Sequence, residues 1–377
     1  MRIHNPIFCI IPPHMLDQIT RNGTPEQRNI AQQTITASEG LRSKRNIMAA
    51  KARAAMVAAV SAGKQRTIYD AKQGSQLPGT KVRGEGDPAS TDPAVDEAYD
   101  GSGVTYDLYY NIYGRDSIDN NGLKLDSTVH YQKGYDNAFW DGQQMVYGDG
   151  DEDLPPDQRL FNRFTIALDV IGHELTHGVT QYEANLNYFS QSGALNESIS
   201  DVFGSLVKQY QRQQTADQAD WIIGEGLFTP NVNGVGIRSM KAPGTAYDDP
   251  VLGKDPQPAH MDHYVNTLED NGGVHINSGI PNHAFYVVAR EISGSAWGKA
   301  GAIWYRALTE KLKPTSDFTD AANLTYEAAA ELFGSGSLEQ KAVQSGWSTV
   351  GITIGAPPTN KGCLNAVLRA LGLAGDK

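Results

Sequence analysis

The chain has 377 residues, of which 40% are hydrophobic, and a formal net charge of −11. Its length exceeds the size at which single cores usually split, so more than one folded unit is expected. The acidic balance argues against nucleic acid as a partner, because binding a phosphate backbone requires a concentrated basic surface.

Residues 1–60 differ in composition from the rest of the chain. After an apolar start, Thr24 and Gln27 form a capping-box pattern, which predicts an amphipathic helix through Leu41. The stretch from Lys44 to Lys64 is basic and alanine-rich, and we expect proteolytic nicking there. We therefore predict that residues 1–60 are a removable propeptide. The alternative is one more surface helix of the mature protein.

Apolar runs in the chain are short. No stretch of 18 apolar residues occurs, so we expect no membrane-spanning helix and no membrane partner. The apolar run from Ile7 to Ile11 is cut by Pro12 and Pro13, so we predict no Sec signal peptide. The expected protein is a monomer that is secreted or released by a leaderless route, or that stays in the cytoplasm.

From Thr67 to about Asp153 the sequence is rich in tyrosine, glycine, asparagine and aspartate. It contains short β-compatible runs such as Val104 to Tyr113 and Val129 to Tyr131. This pattern predicts an antiparallel sheet with turns. Residues 161–185 are predicted to form a long central helix.

The remainder of the chain is mainly helical in pattern. A helix around Glu197 precedes a loop-rich region from Gly224 to Gly273, and further helical patterns follow at Pro281 to Glu291, Ala300 to Lys311 and Leu324 to Leu332. We predict an α+β fold with a β-rich lobe at 61–185, a mainly helical lobe at 186–353 and an extension at 354–377. The lobes would meet at the central helix, and clefts between lobes usually hold substrate sites.

The segment His173-Glu174-Leu175-Thr176-His177 places two imidazoles four residues apart in the central helix. Side chains at this spacing share one helical face, so both histidines can bind one zinc ion. Glu174 projects beside them, where it can accept a proton from a metal-bound water. Because the HExxH pattern is short, it needs support from its context.

Glu197 and Asp201 lie beyond this motif and are again four residues apart. A catalytic zinc takes three protein ligands and keeps one position open, and His, His and Glu is a known set. We predict Glu197 as the third ligand and Asp201 as the hydrogen-bond acceptor of one ligating histidine. Without the upstream motif, a solvated helix face would be the better interpretation of this pair.

The two segments HELTH and GALNESISD resemble the thermolysin family of zinc endopeptidases. The similarity extends over about residues 68–353 and includes, in the family's order, the segments YDNAFW from Tyr135, MVYGDG from Met145, IRSM from Ile237 and DNGGVHINSG from Asp270. Near the start, Ile10-Ile11-Pro12-Pro13-His14-Met15-Leu16 is similar to the short propeptide of the protealysin branch of that family.

The resemblance implies a peptide-cleaving mechanism. Zinc held by His173, His177 and Glu197 would activate a water, and Glu174 would take its proton and pass it to the departing amine. Tyr188 and His275 would donate hydrogen bonds to the oxyanion, with Asp270 orienting the imidazole. Asn137, the Ala138 backbone and Arg238 would bind the main chain of the substrate.

The resemblance also implies a specificity pocket after the scissile bond. Its matching positions are all apolar: Phe161, Phe164, Val170, Ile223, Leu227 and Ile237. We therefore predict cleavage on the amino side of bulky hydrophobic residues such as Leu or Phe. For any one of these positions, a plain core role remains the alternative.

The sequence departs from the family at calcium. Asp169, Asp220 and Glu225 match carboxylates of the family's double-calcium site, and oxygen ligands of this kind suit Ca²⁺. Lys208 stands where the family has a bridging glutamate, so its ammonium could take the place of one cation. We predict at most one calcium ion and a lower calcium dependence than that of thermolysin.

The N-terminal segment is predicted to inhibit the enzyme from within the chain. By resemblance, Pro12, Pro13 and Leu16 would dock against the mature domain. Cys9 and Cys363 are the two cysteines, at opposite ends, so no disulfide framework is expected. The Cys9 thiolate could also ligate the zinc and silence the enzyme. Packing as a small apolar residue is the alternative for Cys9.

The function that follows is a zinc endopeptidase acting on protein and peptide substrates, made as a latent precursor. A pseudoenzyme or protein-binding module that keeps the zinc fold is the alternative. A general base together with oxyanion donors favours the enzyme, since a binding module needs neither. A zinc aminopeptidase is a third alternative, although no acidic cluster for a free amine is evident.

Overall fold

The computed structural model describes residues 8–38 and 63–355. Within these ranges the helices are α1 (Pro13–Asn22), α2 (25–38), α3 (Pro93–Tyr113), α4 (Leu168–Tyr182), α5 (Ser190–Arg212), α6 (Asp270–Asn277), α7 (Gly279–Ile292), α8 (Lys299–Glu310), α9 (Phe318–Phe333) and α10 (Leu338–Thr349). The strands are β1 (Phe8–Cys9), β2 (Arg66–Asp70), β3 (Thr80–Gly84), β4 (Leu125–Val129), β5 (Ala138–Trp140), β6 (Met145–Tyr147), β7 (Ile222–Ile223), β8 (Arg238–Ser239), β9 (Asp248–Asp249) and β10 (Gly253–Lys254). The predictions for the basic stretch up to residue 62, for Cys363 and for the extension from residue 356 lie outside the described residues.

Five strands of the N-terminal lobe and β1 of the N-terminal segment form one sheet in the order β1-β5-β6-β4-β2-β3. β4 runs parallel to both β2 and β6, and the other neighbours are antiparallel. The prediction of an antiparallel sheet is therefore wrong for the two pairs that β4 forms. Parallel neighbours need a long crossover connection, and for β2 and β4 this connection contains β3 and α3.

The predicted β-run from Val104 to Tyr113 lies inside α3, so this prediction is also wrong. Asp92 caps the helix, its Oδ1 accepting from the Ala94 N–H at 2.9 Å. Aromatic and β-branched residues favour strands only weakly, and burial against neighbouring elements overrides that preference. Tyr109, for example, is buried and bonded through its hydroxyl to Thr176 Oγ1 on α4 at 2.8 Å.

The central helix α4 is shorter than the predicted range of 161–185. Residues 161–167 instead form a bridge between Phe161 and Phe228 and a 3₁₀ turn at Phe164–Ile166. The helix is buried on every side from Asp169 to Thr180. It lies between the sheet lobe and the helices that follow it, as predicted.

Two glycines allow α4 and α5 to approach closely. A Cβ added to Gly204 would lie 2.4 Å from the Asp169 carbonyl oxygen and 3.0 Å from the His173 nitrogen. A Cβ added to Gly172 would lie 3.1 Å from the Gly204 Cα. No side chain fits at this crossing, and the close approach turns the Glu197 face of α5 towards the two histidines.

The N-terminal segment packs onto the sheet lobe. β1 adds an edge strand to β5, with Phe8 opposite Trp140 in the register. The predicted capping box at the start of α2 is confirmed, because the Thr24 N–H donates to Gln27 Oε1 at 2.7 Å and the Gln27 N–H to Thr24 Oγ1 at 3.3 Å. α2 is helical to residue 38, and its predicted end at Leu41 lies outside the described residues.

The C-terminal lobe is helical, and its three predicted helical patterns are confirmed in α7, α8 and α9. Trp304 of α8 stacks on Trp347 of α10 with ring centroids 6.2 Å apart, and Trp347 donates to Thr325 Oγ1 of α9 at 2.8 Å. These contacts join the helices around one apolar core.

In residues 8–38 and 63–355, no helix is long and apolar enough to cross a membrane.

Candidate active site

His173 and His177 lie on α4 with no exposed surface. Nδ1 of His173 lies 2.8 Å from Asp201 Oδ1, and Nδ1 of His177 lies 2.8 Å from Asn196 Oδ1. Both oxygens are acceptors, so each ring donates through Nδ1, which leaves Nε2 as the acceptor that can bind a metal ion. The two Nε2 atoms are 3.0 Å apart. Two acceptors this close repel each other unless a cation lies between them.

Glu197 completes a set of three acceptors. Its carboxylate oxygens lie 3.4 Å from His177 Nε2 and 3.6 Å from His173 Nε2. Oε2 of Glu197 is buried and has no hydrogen-bond partner among the described residues. A tetrahedral zinc with bonds of about 2.0–2.1 Å separates its ligand atoms by about 3.3 Å. The three predicted ligands are therefore brought together in a geometry that fits zinc, and they are the metal-type cluster found in the described part of the chain.

Glu174 lies on the same helix and is fully buried. Its Oε2 accepts from the backbone N–H of Trp140 at 3.0 Å. Trp140 is the last residue of β5, so this contact ties the carboxylate to the end of that strand. The sequence motif located Glu174 but gave no indication of this partner.

Tyr188 and His275 meet beside Glu197, although they come from different elements. The Tyr188 hydroxyl lies 3.2 Å from His275 Nε2 and donates to Glu197 Oε1. Asp270 accepts from His275 Nδ1 at 2.6 Å and from the His275 backbone N–H at 2.8 Å. Burial lowers the pKa of His275, but the charges of Asp270 and Glu197 outweigh it and raise that pKa to about 8. The ring is therefore held as a hydrogen-bond donor.

An unusual turn places Asp270 against the imidazole. The four residues from Asp270 to Gly273 all have positive φ, at 50°, 52°, 84° and 73°. Asp, Asn and Gly are the residue types that tolerate this left-handed backbone. The sequence DNGG therefore permits the turn that folds the Asp270 carboxylate back onto His275.

Arg238 forms a buried ion pair with the carboxylate that supports His173. Its Nε and Nη2 donate to the two oxygens of Asp201 at 2.8 and 2.7 Å. Asn282 Nδ2 donates to Asp201 Oδ2 at 2.8 Å. Burial alone would raise the pKa of Asp201, but Arg238 and His173 hold it far below its usual value. Asn282 carries no recognisable sequence signal, whereas Asn196 adjoins Glu197 within the motif already identified.

The N-terminal segment lies across the residues predicted to bind the substrate main chain. The Ile10 N–H donates to the Ala138 carbonyl at 3.2 Å, and Arg238 Nη1 donates to the Ile10 carbonyl at 3.2 Å. The Ile11 N–H donates to Asn137 Oδ1 at 3.0 Å. The predicted substrate groups therefore hold an extended stretch of this same chain.

The six predicted pocket residues are all buried, with at most 1% of any side chain exposed. Ile10, Ile11 and Leu16 belong to the same apolar core. Pro13, Leu16 and Asn137 line one small cavity, and the Pro12 carbonyl accepts from the Met15 N–H at 3.1 Å in the first turn of α1. Pro13 and Leu16 thus lie beside Asn137, one of the residues predicted to bind the substrate main chain.

Cys9 contacts the site through its backbone. Its carbonyl oxygen lies 3.1 Å from His275 Nε2. Its side chain packs in an apolar cluster with Tyr131, Tyr135 and Phe139, and the metal-type cluster of the described residues does not include Cys9. The geometry favours the packing alternative, and the thiolate switch stays a prediction.

His14 is a half-buried residue of α1 that faces Tyr247 of the C-terminal lobe. Its Nε2 lies 3.2 Å from the Tyr247 hydroxyl, and its Nδ1 has no hydrogen-bond partner among the described residues. Burial is the main cause that lowers the pKa of His14 to about 4; Asp270 opposes this, whereas His275 and Arg238 add to it. Docking therefore keeps His14 neutral.

Lys208 contacts the carboxylates of the calcium-type site, which are Asp169, Asp220 and Glu225, as predicted. Its Nζ lies 2.8 Å from Asp169 and Asp220 and 3.8 Å from Glu225. It also donates to the Ile222 carbonyl at 2.7 Å. Burial opposes the charge, but Asp169 and Asp220 raise the pKa of Lys208, which stays an ammonium.

The fold and the site together define a metallopeptidase. Residues 24–181 match the family model described as the catalytic domain of thermolysin metallopeptidase, and residues 184–352 match the model of its alpha-helical domain. The chain belongs to the thermolysin family of metallopeptidases.

Relatives of similar length carry consistent names. The chain is 53% identical over 351 residues to an extracellular metalloprotease of Pectobacterium carotovorum subsp. carotovorum, covering 93% of this chain and 97% of that one. It is 48% identical to protease PrtS of a Photorhabdus strain, covering 92% of each. A solved precursor of protealysin, a metalloproteinase from Serratia proteamaculans, matches with a TM-score of 0.83 and 52% identity, covering 92% of this chain and 100% of that chain.

Proposed function

We propose that this chain is a zinc-dependent neutral endopeptidase made as a latent precursor. The observation that carries the proposal is the convergence of His173, His177 and Glu197 beside Glu174, at a cleft where an extended chain segment is bound. Each group that peptide hydrolysis needs lies within reach of that segment. The substrates are proteins and peptides, as in the family to which the chain belongs.

His173, His177 and Glu197 would hold the zinc ion. Bound zinc supplies a water of lowered pKa and a Lewis acid for the carbonyl. Asp201 and Asn196 fix both rings with Nε2 facing the ion, and such partners typically strengthen binding about 10–100-fold.

Glu174 acts as the proton acceptor and later as the donor to the departing amine. Its contact with the Trp140 N–H keeps the carboxylate at the sheet edge where the substrate backbone lies. Tyr188 and His275 donate to the developing oxyanion, and Asp270 orients the imidazole. Removing one such donor typically lowers the rate on the order of a hundredfold.

The apolar pocket sets the proposed specificity. Phe161, Phe164, Val170, Ile223, Leu227 and Ile237 offer no charged partner, and the docked segment presents Ile10 to the same core. Burying an unpaired charge there is unfavourable. Cleavage is therefore expected on the amino side of Leu, Phe or a similar residue. A peptide library that showed a preference for charged residues at that position would refute this specificity.

Latency follows from the docked N-terminal segment. It occupies the hydrogen-bonding groups of Asn137, Ala138 and Arg238, so no substrate main chain can bind while it stays. Residues 1–60 must then leave for full activity.

We also propose a low calcium requirement, because Lys208 neutralises the carboxylates of the calcium-type site. Release outside the cell, as named for the relative from Pectobacterium, is the proposed location.

The test compares wild type with Glu174→Ala and with Glu327→Ala, a matched change at an exposed glutamate on α9. Intact mass and casein hydrolysis are measured with and without a zinc chelator. We expect wild type and the control to lose about their first 40–65 residues and to degrade casein in a zinc-dependent way. Glu174→Ala should stay full length and inert. A wild type that remains inert after limited trypsin has removed the N-terminal segment would refute the proposal.

A further inference from the structure

Consecutive backbone groups of the N-terminal segment face consecutive groups of the cleft. The Cys9 carbonyl meets His275, the Ile10 N–H and carbonyl meet Ala138 and Arg238, and the Ile11 N–H meets Asn137. Each of the three consecutive residues Cys9, Ile10 and Ile11 therefore has a backbone contact with the cleft. The segment therefore has a defined register in the cleft as well as a general fit.

The register places one peptide bond at the reacting groups. The Cys9 carbonyl oxygen lies 3.1 Å from His275 Nε2, which is 3.2 Å from the Tyr188 hydroxyl and 3.6 Å from Glu197 Oε2. Tyr188 and His275 are the groups proposed to stabilise the oxyanion, and Glu197 is a proposed zinc ligand. The next residue, Ile10, is fully buried in the apolar core that contains the pocket residues. An apolar residue thus follows the carbonyl, as the proposed specificity requires.

We propose that the Cys9–Ile10 peptide bond is a self-cleavage site of the precursor. This inference rests on the proposed function. Water is the co-reactant: its oxygen bonds to the Cys9 carbonyl carbon while the C–N bond to Ile10 breaks. Cys9 becomes a C-terminal carboxylate, and the Ile10 nitrogen takes up both protons of the water to become a new ammonium N-terminus. Residues 1–9 leave as a peptide.

This cut does not empty the cleft. The part that remains is still covalently joined to the mature domain and keeps the contacts of Ile10 with Arg238 and of Ile11 with Asn137. α1 stays anchored by the buried side chains of Met15, Leu16 and Ile19. The cut precursor is therefore expected to remain latent, so this cleavage is separate from the removal of residues 1–60.

The experiment follows the zinc-loaded wild-type precursor over time by intact mass and by sequencing of new N-termini. We expect a peptide of residues 1–9 and a chain beginning at Ile10, formed at a rate independent of protein concentration because the bond is already docked. Ile10→Leu should be cut as wild type is, whereas Ile10→Asp should be cut on the order of a hundredfold more slowly. Casein hydrolysis should not rise with the release of residues 1–9.

A second measurement does not depend on turnover. In the metal-free precursor, which cannot cut itself, limited trypsin digestion reports how firmly the N-terminal segment is docked. Ile10→Leu should resist trypsin as wild type does, and Ile10→Asp should be digested faster. Equal digestion of all three proteins would overturn the burial of Ile10 in the apolar core.

The outcomes separate this inference from the proposed function. If casein is degraded after maturation but the peptide of residues 1–9 never forms, the self-cleavage site is refuted and the protease function stands. Cutting whose rate rises with protein concentration would also refute it, because it would be intermolecular. If neither casein nor the chain itself is cleaved after trypsin activation, the proposed function fails.

Discussion

Replacing Lys208 by methionine tests how the protein neutralises its calcium-type site. The side chains of Lys208 and Asp169 are only 3% and 1% exposed, and they lie 2.8 Å apart. Asp220 is 27% exposed, so it can turn towards water when the ammonium is removed, but Asp169 cannot. Removing one partner of a buried pair typically costs about 3–5 kcal/mol.

This free energy of unfolding can be expressed as a change in melting temperature. One kcal/mol shifts the midpoint by about 2–4 °C in domains of 150–250 residues and by less in longer chains, so we expect a loss of about 5–10 °C. The assay is thermal unfolding of the precursor in a Glu174→Ala background, which prevents self-digestion, with a calcium-selective chelator present. Added calcium should restore part of the loss, because Asp169, Asp220 and the Ile222 carbonyl would then offer it oxygen ligands.

Lys311→Met is the matched control. Lys311 pairs with Glu327 and Glu331, which are 57% and 41% exposed, so its removal should cost less than about 1 kcal/mol. If Lys208→Met unfolds within about 1 °C of its parent in the chelator, the reasoning from the buried charge of Asp169 is refuted.

Three further predictions follow. Asp201→Asn removes the carboxylate that accepts from His173, so zinc affinity in a competitive chelator titration should fall about 10–100-fold; unchanged affinity would contradict the support assigned to Asp201. His275→Ala in the matured enzyme should lower kcat on the order of a hundredfold with little change in KM, measured on a Leu-containing peptide; a pure KM effect would contradict a role in the transition state. Docking lowers the pKa of His14 to about 4 from its usual 6.5, so the free segment binds a proton more readily than the docked one. Docking is therefore fully favoured above pH 6.5 and weakens as pH falls towards 4, by at most about 3 kcal/mol before solvent screening is counted. Trypsin sensitivity of wild type should rise over that range, and in His14→Asn it should rise less.

Local sequence patterns predicted the catalytic helix well because its functional residues recur at the spacing of one helical turn. Two histidines four residues apart must share a helical face, and the same spacing relates Glu197 to Asp201. The capping box at Thr24 and Gln27 is equally local, and the structure confirms it. Each of these predictions needed only a helix and a residue spacing.

The errors arose where contacts with distant parts of the chain determine the local structure. The run from Val104 to Tyr113 has strand-like residues, but its burial against α4 and the sheet makes it part of α3. The parallel pair of β2 and β4 depends on that helix, whereas β4 and β6 are connected through β5. Asn282 could not be found because it reaches Asp201 across 81 residues without any motif. Contacts of this kind are set by packing, which a linear pattern does not record.

The proposed zinc site is ordered by parts of the protein that lie outside the three ligands. The glycine contact between α4 and α5 brings Glu197 towards the histidines, and a buried ion pair lies on each side of it. Asp169 near the start of α4 pairs with Lys208 of α5, and Asp201 of α5 pairs with Arg238. The first pair joins α5 to α4 and the second joins it to β8, so contacts within the protein hold α5 in place independently of a bound ion. A metal-free protein should therefore keep its fold and lose little beyond activity. That separation makes it possible to test docking of the N-terminal segment and catalysis independently.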